Sequence, residues 1–183
     1  MDALELLLHR TSQPRLTAPA PEGDNLNNIL LAGLRAPDHG ALTPWKFIVC
    51  QNEGLIKLGE LLQSAAKKSG MSESDVERAA QLPLRAPMVI VAIAEYKPHP
   101  KVPREEQICS SACAVHAMQL AAVAQSFQGF WRTGSYATNP IVKSGLNLND
   151  SDEIVGFLYI GTSNSSVVKK KSLDVDQFVE YWG

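Results

Sequence analysis

The stretch RAPDHGALTPWKF, Arg35 to Phe47, sets Arg35, Asp38, His39, Thr43 and Trp45 around Gly40, between an apolar helical pattern that stops at Pro37 and a strand-like run. A connector needs turn formers and polar filler, not a guanidinium, an imidazole and an indole at such close spacing. Two further segments share this character, HRTS at residues 9–12 and WRTG at residues 131–134. Each supplies at least two of the groups that a phosphate takes: guanidinium forks, hydroxyls and free main-chain amides at element ends. Taken singly, Arg10 or Arg35 also fits a solvated residue at a helix C-terminus, and Trp131 also fits core packing.

Other chemistries lack their residues. Cys109, Cys113 and His116 stand at i, i+4 and i+7 on one helical face, but structural zinc takes four ligands and no fourth is evident. The better reading is small side chains filling a crowded helix seam beside a hydrogen-bonded histidine. A thiol in a helix interior among alanines has neither a helix N-terminus nor a basic neighbour to activate it. No G-x-S-x-G elbow, Walker glycine loop or G-x-G-x-x-G fingerprint occurs.

The 183 residues are 45% hydrophobic and 20% charged, ordinary values for a globular chain that buries one core. A net charge of -2 gives no basic footprint for nucleic acid. The sequence shows no apolar run long enough for a bilayer and no signal peptide in MDALELLLHR, so no membrane partner and a cytoplasmic location are expected. Three cysteines fit a reducing compartment better than a disulfide framework.

The elements that must position these residues follow from periodicity. Asp2 can cap a short helix ending near Arg10, and a second helix runs from Asp24 towards Pro37. KFIVCQ reads as a buried strand, Asn52 as the cap of a helix that stops at Gly70, and Ser72 as the cap of another through SESDVERAAQL. MVIVAIAEY has the composition of a central strand covered on both faces. From about Glu105 to Phe127 a helix apolar over most of its circumference must be buried, in the core or at a subunit interface. GFWRTG is an aromatic and basic segment between glycines, Asn139 and Pro140 look like the cap and first position of a short helix, and EIVGFLYIGT is a second buried strand.

In this order the segments resemble the nitroreductase family of FMN-dependent NAD(P)H oxidoreductases, and within it the compact bacterial subgroup. The likeness is carried by HRTSQPRL, APDHGALTPWKFIVC, AQSFQGFWRTG and EIVGFLYIGT. It implies an α+β (mixed α/β) three-layer sandwich, with a central, mostly antiparallel sheet flanked by helices. Residues 1–183 would form a single FMN-binding domain, dimeric, with two FMN sites in the homodimer interface.

Carried over by residue, the resemblance implies that Arg10, Thr11 and Ser12 hold the flavin phosphate and ribityl end. Trp131, Arg132 and Thr133 would pass the isoalloxazine ring, and Arg35 and His39 would reach the flavin across the interface. The family's loop asparagine and glutamine are replaced by Ala41 and Thr43, which hands the lost hydrogen bonds to His39 or Thr43. Pro14 shifts a later basic residue to Arg15, and the basic residue after the last strand is matched by Lys169, Lys170 or Lys171.

The implied activity passes electrons from NADH or NADPH to a nitroaromatic, quinone or similar small-molecule acceptor by a ping-pong hydride mechanism. The flavin carries that chemistry, so no protein acid, base or nucleophile is needed. Arg132 or Arg15 is the candidate for a positive group at the pyrimidine edge. The alternatives are another reaction on the same flavin scaffold (enone reduction, reductive dehalogenation or flavin breakdown) or a flavin-binding regulatory protein without turnover.

Overall fold

The computed structural model describes residues 2–163 and 172–183, so Lys169, Lys170 and Lys171 lie outside the described residues. Its strands are β1 (Trp45–Gln51), β2 (Met88–Ala94), β3 (Gln128–Arg132) and β4 (Glu153–Gly161). They form one sheet in the order β1-β2-β4-β3, and every ladder is antiparallel. The helices are α1 (Ala3–His9), α2 (Gly23–Gly33), α3 (Glu53–Lys68), α4 (Glu73–Gln81), α5 (Arg104–Ala124) and α6 (Pro140–Gly145).

All seven residues of β2 are buried, as its unbroken apolar sequence requires. Met88, Ile90 and Ala92 face a core shared with Ile29 of α2 and with Val115, Met118 and Ala122 of α5. Val89, Val91 and Ile93 face the opposite core, built with Leu55, Leu58 and Leu62 of α3 and Ala79 of α4. Period-two alternation on one strand thus supplies both cores, and the expected α+β sandwich of helices, sheet and helices follows.

Two of the expected caps are made by side chains. Ser72 accepts from Asp75 N, and Asn139 accepts from Ile141 N and Val142 N. Asp2 and Asn52 occupy cap positions without a side-chain cap bond.

Four elements differ from the sequence expectation. β1, expected to be buried, is an edge strand in which only Cys50 is buried. GFWRTG, read above only as an aromatic and basic segment, is in its first part β3, the edge strand against β4. α5 ends at Ala124 rather than Phe127: Ser126 takes φ 68°, and Phe127 N donates back to Ala122 O, a Schellman closure made without glycine. By length and composition α5 could cross a bilayer, contrary to the reading above, but half of its apolar window is buried and it packs on α2 and the sheet as a core helix.

Candidate functional site

The chain leaving α1 is fastened to the open side of β3. Gln13 N donates to Gly129 O at 3.2 Å, and the buried Gln119 of α5 donates its Nε2 to the same carbonyl at 3.0 Å. Further on, Leu16 N donates to Arg85 O at 3.3 Å, and Thr17 and Thr162 exchange main-chain hydrogen bonds of 2.8 Å. These bonds bring the HRTS segment against the strand that carries Trp131 and Arg132. Strand parity turns the main chain of Trp131 towards the same open edge as that of Gly129.

Within the N-terminal segment, Arg10 donates to Ser12 Oγ at 3.4 Å, and Ser12 is exposed. Thr11 is buried and its Oγ1 accepts from Gln13 Nε2 at 3.5 Å, so its outward groups are main-chain ones.

Beyond β3 lies a cleft of about 410 Å³ whose walls include Arg85, Phe130, Arg132, Thr133, Tyr136 and Tyr159. The Arg132 guanidinium lies 4.0 Å over the Phe130 ring and 5.8 Å from that of Tyr159. Arg85 and Arg132 also border an adjoining cleft of about 530 Å³ with Pro14 and Arg15. Burial pushes the Tyr159 hydroxyl above its ordinary value, while Arg132 and Arg85 pull it back down.

Trp131 points to the other side of the sheet. Its ring packs against the α5 core, and Nε1 donates to Val155 O at 3.2 Å, where the β2–β4 register slips between Ala92 and Ile93. A Cβ at Gly156 would collide with Trp131 Nε1 and come within 2.7 Å of Arg132 O. The indole therefore packs as a core residue, and only the main chain of Trp131 is placed for a ligand.

Arg35 and His39 border neither of these clefts in one chain. Arg35 is exposed just beyond α2, while His39 lines a separate cleft of about 520 Å³ with Pro37, Glu106, Cys109 and Cys113. The loop is held by Asp38, whose carboxylate accepts from Leu42 N at 3.1 Å and Thr43 N at 2.7 Å. Ala41 and Thr43 take φ 52° and 48°, a region that asparagine adopts more readily than either residue. The two groups expected to replace the asparagine already have partners: His39 Nδ1 lies 2.8 Å from Glu106 Oε2, and the Thr43 hydroxyl donates to Leu42 O at 2.8 Å.

Cys109, Cys113 and His116 stand on the exposed face of α5 rather than in a buried seam. Among the described residues no three metal-ligating side chains converge. The sequence reading missed Gln13, Gln119, Arg85 and Tyr159. Gln13 had a signal in its place between the HRTS motif and Arg15, but the other three are joined to the site only through the tertiary fold.

The model of the nitroreductase family matches residues 7–162. YdjA of Escherichia coli K12, which carries the inferred name NAD(P)H nitroreductase, is 47% identical over 162 residues and covers 88% of each chain. A nitroreductase-like protein from Bacillus cereus has the same fold, with a TM-score of 0.86 at 22% identity over 100% of this chain and 96% of its own. A Bacteroides fragilis nitroreductase solved with bound FMN superposes with a TM-score of 0.76 at 21% identity, covering all of both chains. With a family match over most of its length and a close relative of like size, the chain belongs to the nitroreductase family.

Proposed function

We propose that the chain, as a single domain of residues 1–183, is an FMN-dependent oxidoreductase that uses NADH or NADPH. The observation that carries this reading is that the segment following Arg10–Ser12 is fastened through Gln13 to the open edge of β3, the strand whose Phe130 and Arg132 line the aromatic cleft with Arg85.

The donor set fits FMN. Arg10 and Ser12 offer a guanidinium and a hydroxyl to the phosphate, with the main chain of Thr11 between them. Phe130, Tyr136 and Tyr159 give a flat ring apolar walls, Trp131 at the open edge and Thr133 beyond the strand offer main-chain groups beside it, and Arg132 offers its side chain. The Bacteroides fragilis relative holds FMN in this same fold. When bound, FMN supplies the hydride-accepting and hydride-donating centre of a ping-pong reaction between NAD(P)H and a nitroaromatic, quinone or similar acceptor. The chain's own task is to bind the phosphate, hold the ring and keep positive charge at its edge.

Arg35 and His39 complete the site from a second copy in a homodimer. A second copy also accounts for apolar surface left bare on one chain. α1 buries no residue and exposes Leu4, Leu7 and Leu8, and Phe178, Tyr181 and Trp182 are exposed by 71%, 80% and 91%.

Purified protein is expected to be yellow, to sediment as a dimer and to oxidise NAD(P)H when given a nitroaromatic or quinone. Colourless protein that also fails to quench added FMN fluorescence overturns the proposal.

A further inference from the structure

Two thiols that the flavin reading leaves without a task share one cleft. Cys109 and Cys113 are exposed on α5, and both line the cleft of about 520 Å³ that also holds His39. Cys50, the third cysteine, is buried elsewhere, on β1.

The helix fixes what this pair can do. Side chains at i and i+4 of a helix hold their Cβ atoms about 5–6 Å apart, whereas a disulfide draws them to about 3.5–4.5 Å. The two thiols therefore do not close on each other while α5 stays wound. α5 is pinned at this level: Ala114 and Val115 are fully buried beside the pair, and the buried Ser111 donates its hydroxyl to Pro44 O at 2.8 Å. A gap too wide for a sulfur–sulfur bond suits a single atom set between two sulfurs.

The surroundings select that atom. Asp38, Glu105 and Glu106 line the same cleft against one imidazole, that of His39, whose Nδ1 lies 2.8 Å from Glu106 Oε2. An excess of carboxylates favours a cation over an anionic electrophile. Zinc asks for three or four converging donors, and no three converge among the described residues. A soft ion content with two sulfurs has no such need, and of the ions that thiolates favour, cuprous copper meets that description.

We propose that Cys109 and Cys113 form a two-coordinate site for Cu(I), one ion per chain. Binding takes the proton from each thiol into solvent and forms two Cu–S bonds, with no change of oxidation state. The site does not depend on FMN, so it can fail while the flavin reading stands, and the reverse.

The test supplies Cu(I) to reduced, full-length protein without oxygen, in competition with a coloured Cu(I) chelator. One ion per chain is expected. In the folded protein two thiols per chain should react with a thiol-titrating disulfide before copper is added and none afterwards, since Cys50 is buried. Cys109→Ser and Cys113→Ser should each weaken binding by more than the roughly hundredfold that loss of an outer-shell partner costs at a metal site. Zn(II), offered in the same way, should bind the wild type no more tightly than the double variant.

No uptake of Cu(I), or equal uptake by the double variant, overturns the site. One ion shared between two chains overturns the pairing within a single helix, and zinc held as tightly through the same cysteines overturns the two-coordinate assignment. Should circular dichroism show a serine variant to be unfolded, alkylation of the two exposed thiols in folded wild-type protein takes its place: lost uptake supports the site, and retained uptake overturns it.

Discussion

Gln13 of the N-terminal segment, through its main-chain N, and Gln119 of α5, through its side chain, donate to the same carbonyl, that of Gly129, at 3.2 and 3.0 Å. One acceptor thus holds the N-terminal segment, the long central helix and the edge strand in register. Replacing Gln119 with leucine removes a buried donor and should lower stability by about 1–3 kcal/mol. The denaturant midpoint would show this, and FMN affinity should fall with it because Trp131, Arg132 and Thr133 lie just downstream. A stable variant with unaltered FMN affinity would show that Gln13 alone suffices.

Arg10→Ala should weaken FMN binding by about 1.5–3 kcal/mol, the usual worth of a hydrogen bond to a charged group. Fluorescence titration measures it, and unchanged affinity removes Arg10 from the site. Mixing subunits extends the test. A mixed dimer of Arg10→Ala and His39→Ala chains carries both changes in one site and neither in the other. Recovery of FMN binding on mixing the two defective proteins is therefore expected, and its absence argues against a site built from both chains.

Gly156→Ala should destabilise the protein by about 1–3 kcal/mol, since the added methyl group meets the Trp131 indole and the Arg132 carbonyl. Trp131→Phe should cost about 1 kcal/mol through loss of the bond to Val155 O. Because the two residues touch, the double variant should be less destabilised than the sum of the single ones. Thermal unfolding of all three gives the coupling directly, and simple additivity would show that the contact is not what excludes a side chain at Gly156.

Tyr159 governs an alkaline limb. Its hydroxyl is raised above 10.0, first by burial and against the pull of Arg132 and Arg85. The folded state keeps this proton at pH values where the unfolded chain has lost it, so the contribution to stability is complete below about pH 10 and falls away as pH rises through the folded value. Tyr159→Phe should flatten this limb in a stability profile taken from pH 8 to 11. A profile with the same slope in the variant would assign the limb to other groups, such as Tyr136 or Cys50, which burial also raises.

Much of the sandwich was legible in the chain because burial leaves a signature in composition. MVIVAIA is apolar at every position and could only be a strand covered twice, and the capping residues Ser72 and Asn139 announce their helices. β3 was not legible, since its five residues include Gly129, Arg132 and Gln128, and its strand state comes from pairing with β4. The same holds for the site. Arg10 and Arg132 could be picked out by their motifs, while Arg85 follows Pro83 in an ordinary breaker and reaches the cleft only through the return of Leu16 to its carbonyl. The exposure of Cys109, Cys113 and His116 was missed because a helix of alanines and small residues shows little contrast between its faces.

Arg132 resting on Phe130 has a consequence for the speed of ligand capture as well as for its strength. A guanidinium already held over an aromatic ring has less rotational freedom left to lose, so its field points into the cleft before any ligand arrives. With Arg85 and Arg15 beside it and no carboxylate of the described residues paired to them, the mouth of the cleft draws anions in from a distance. Loading of the empty protein with a phosphorylated ligand should then be rapid in dilute buffer and slow steadily as salt is added, while release depends on salt far less.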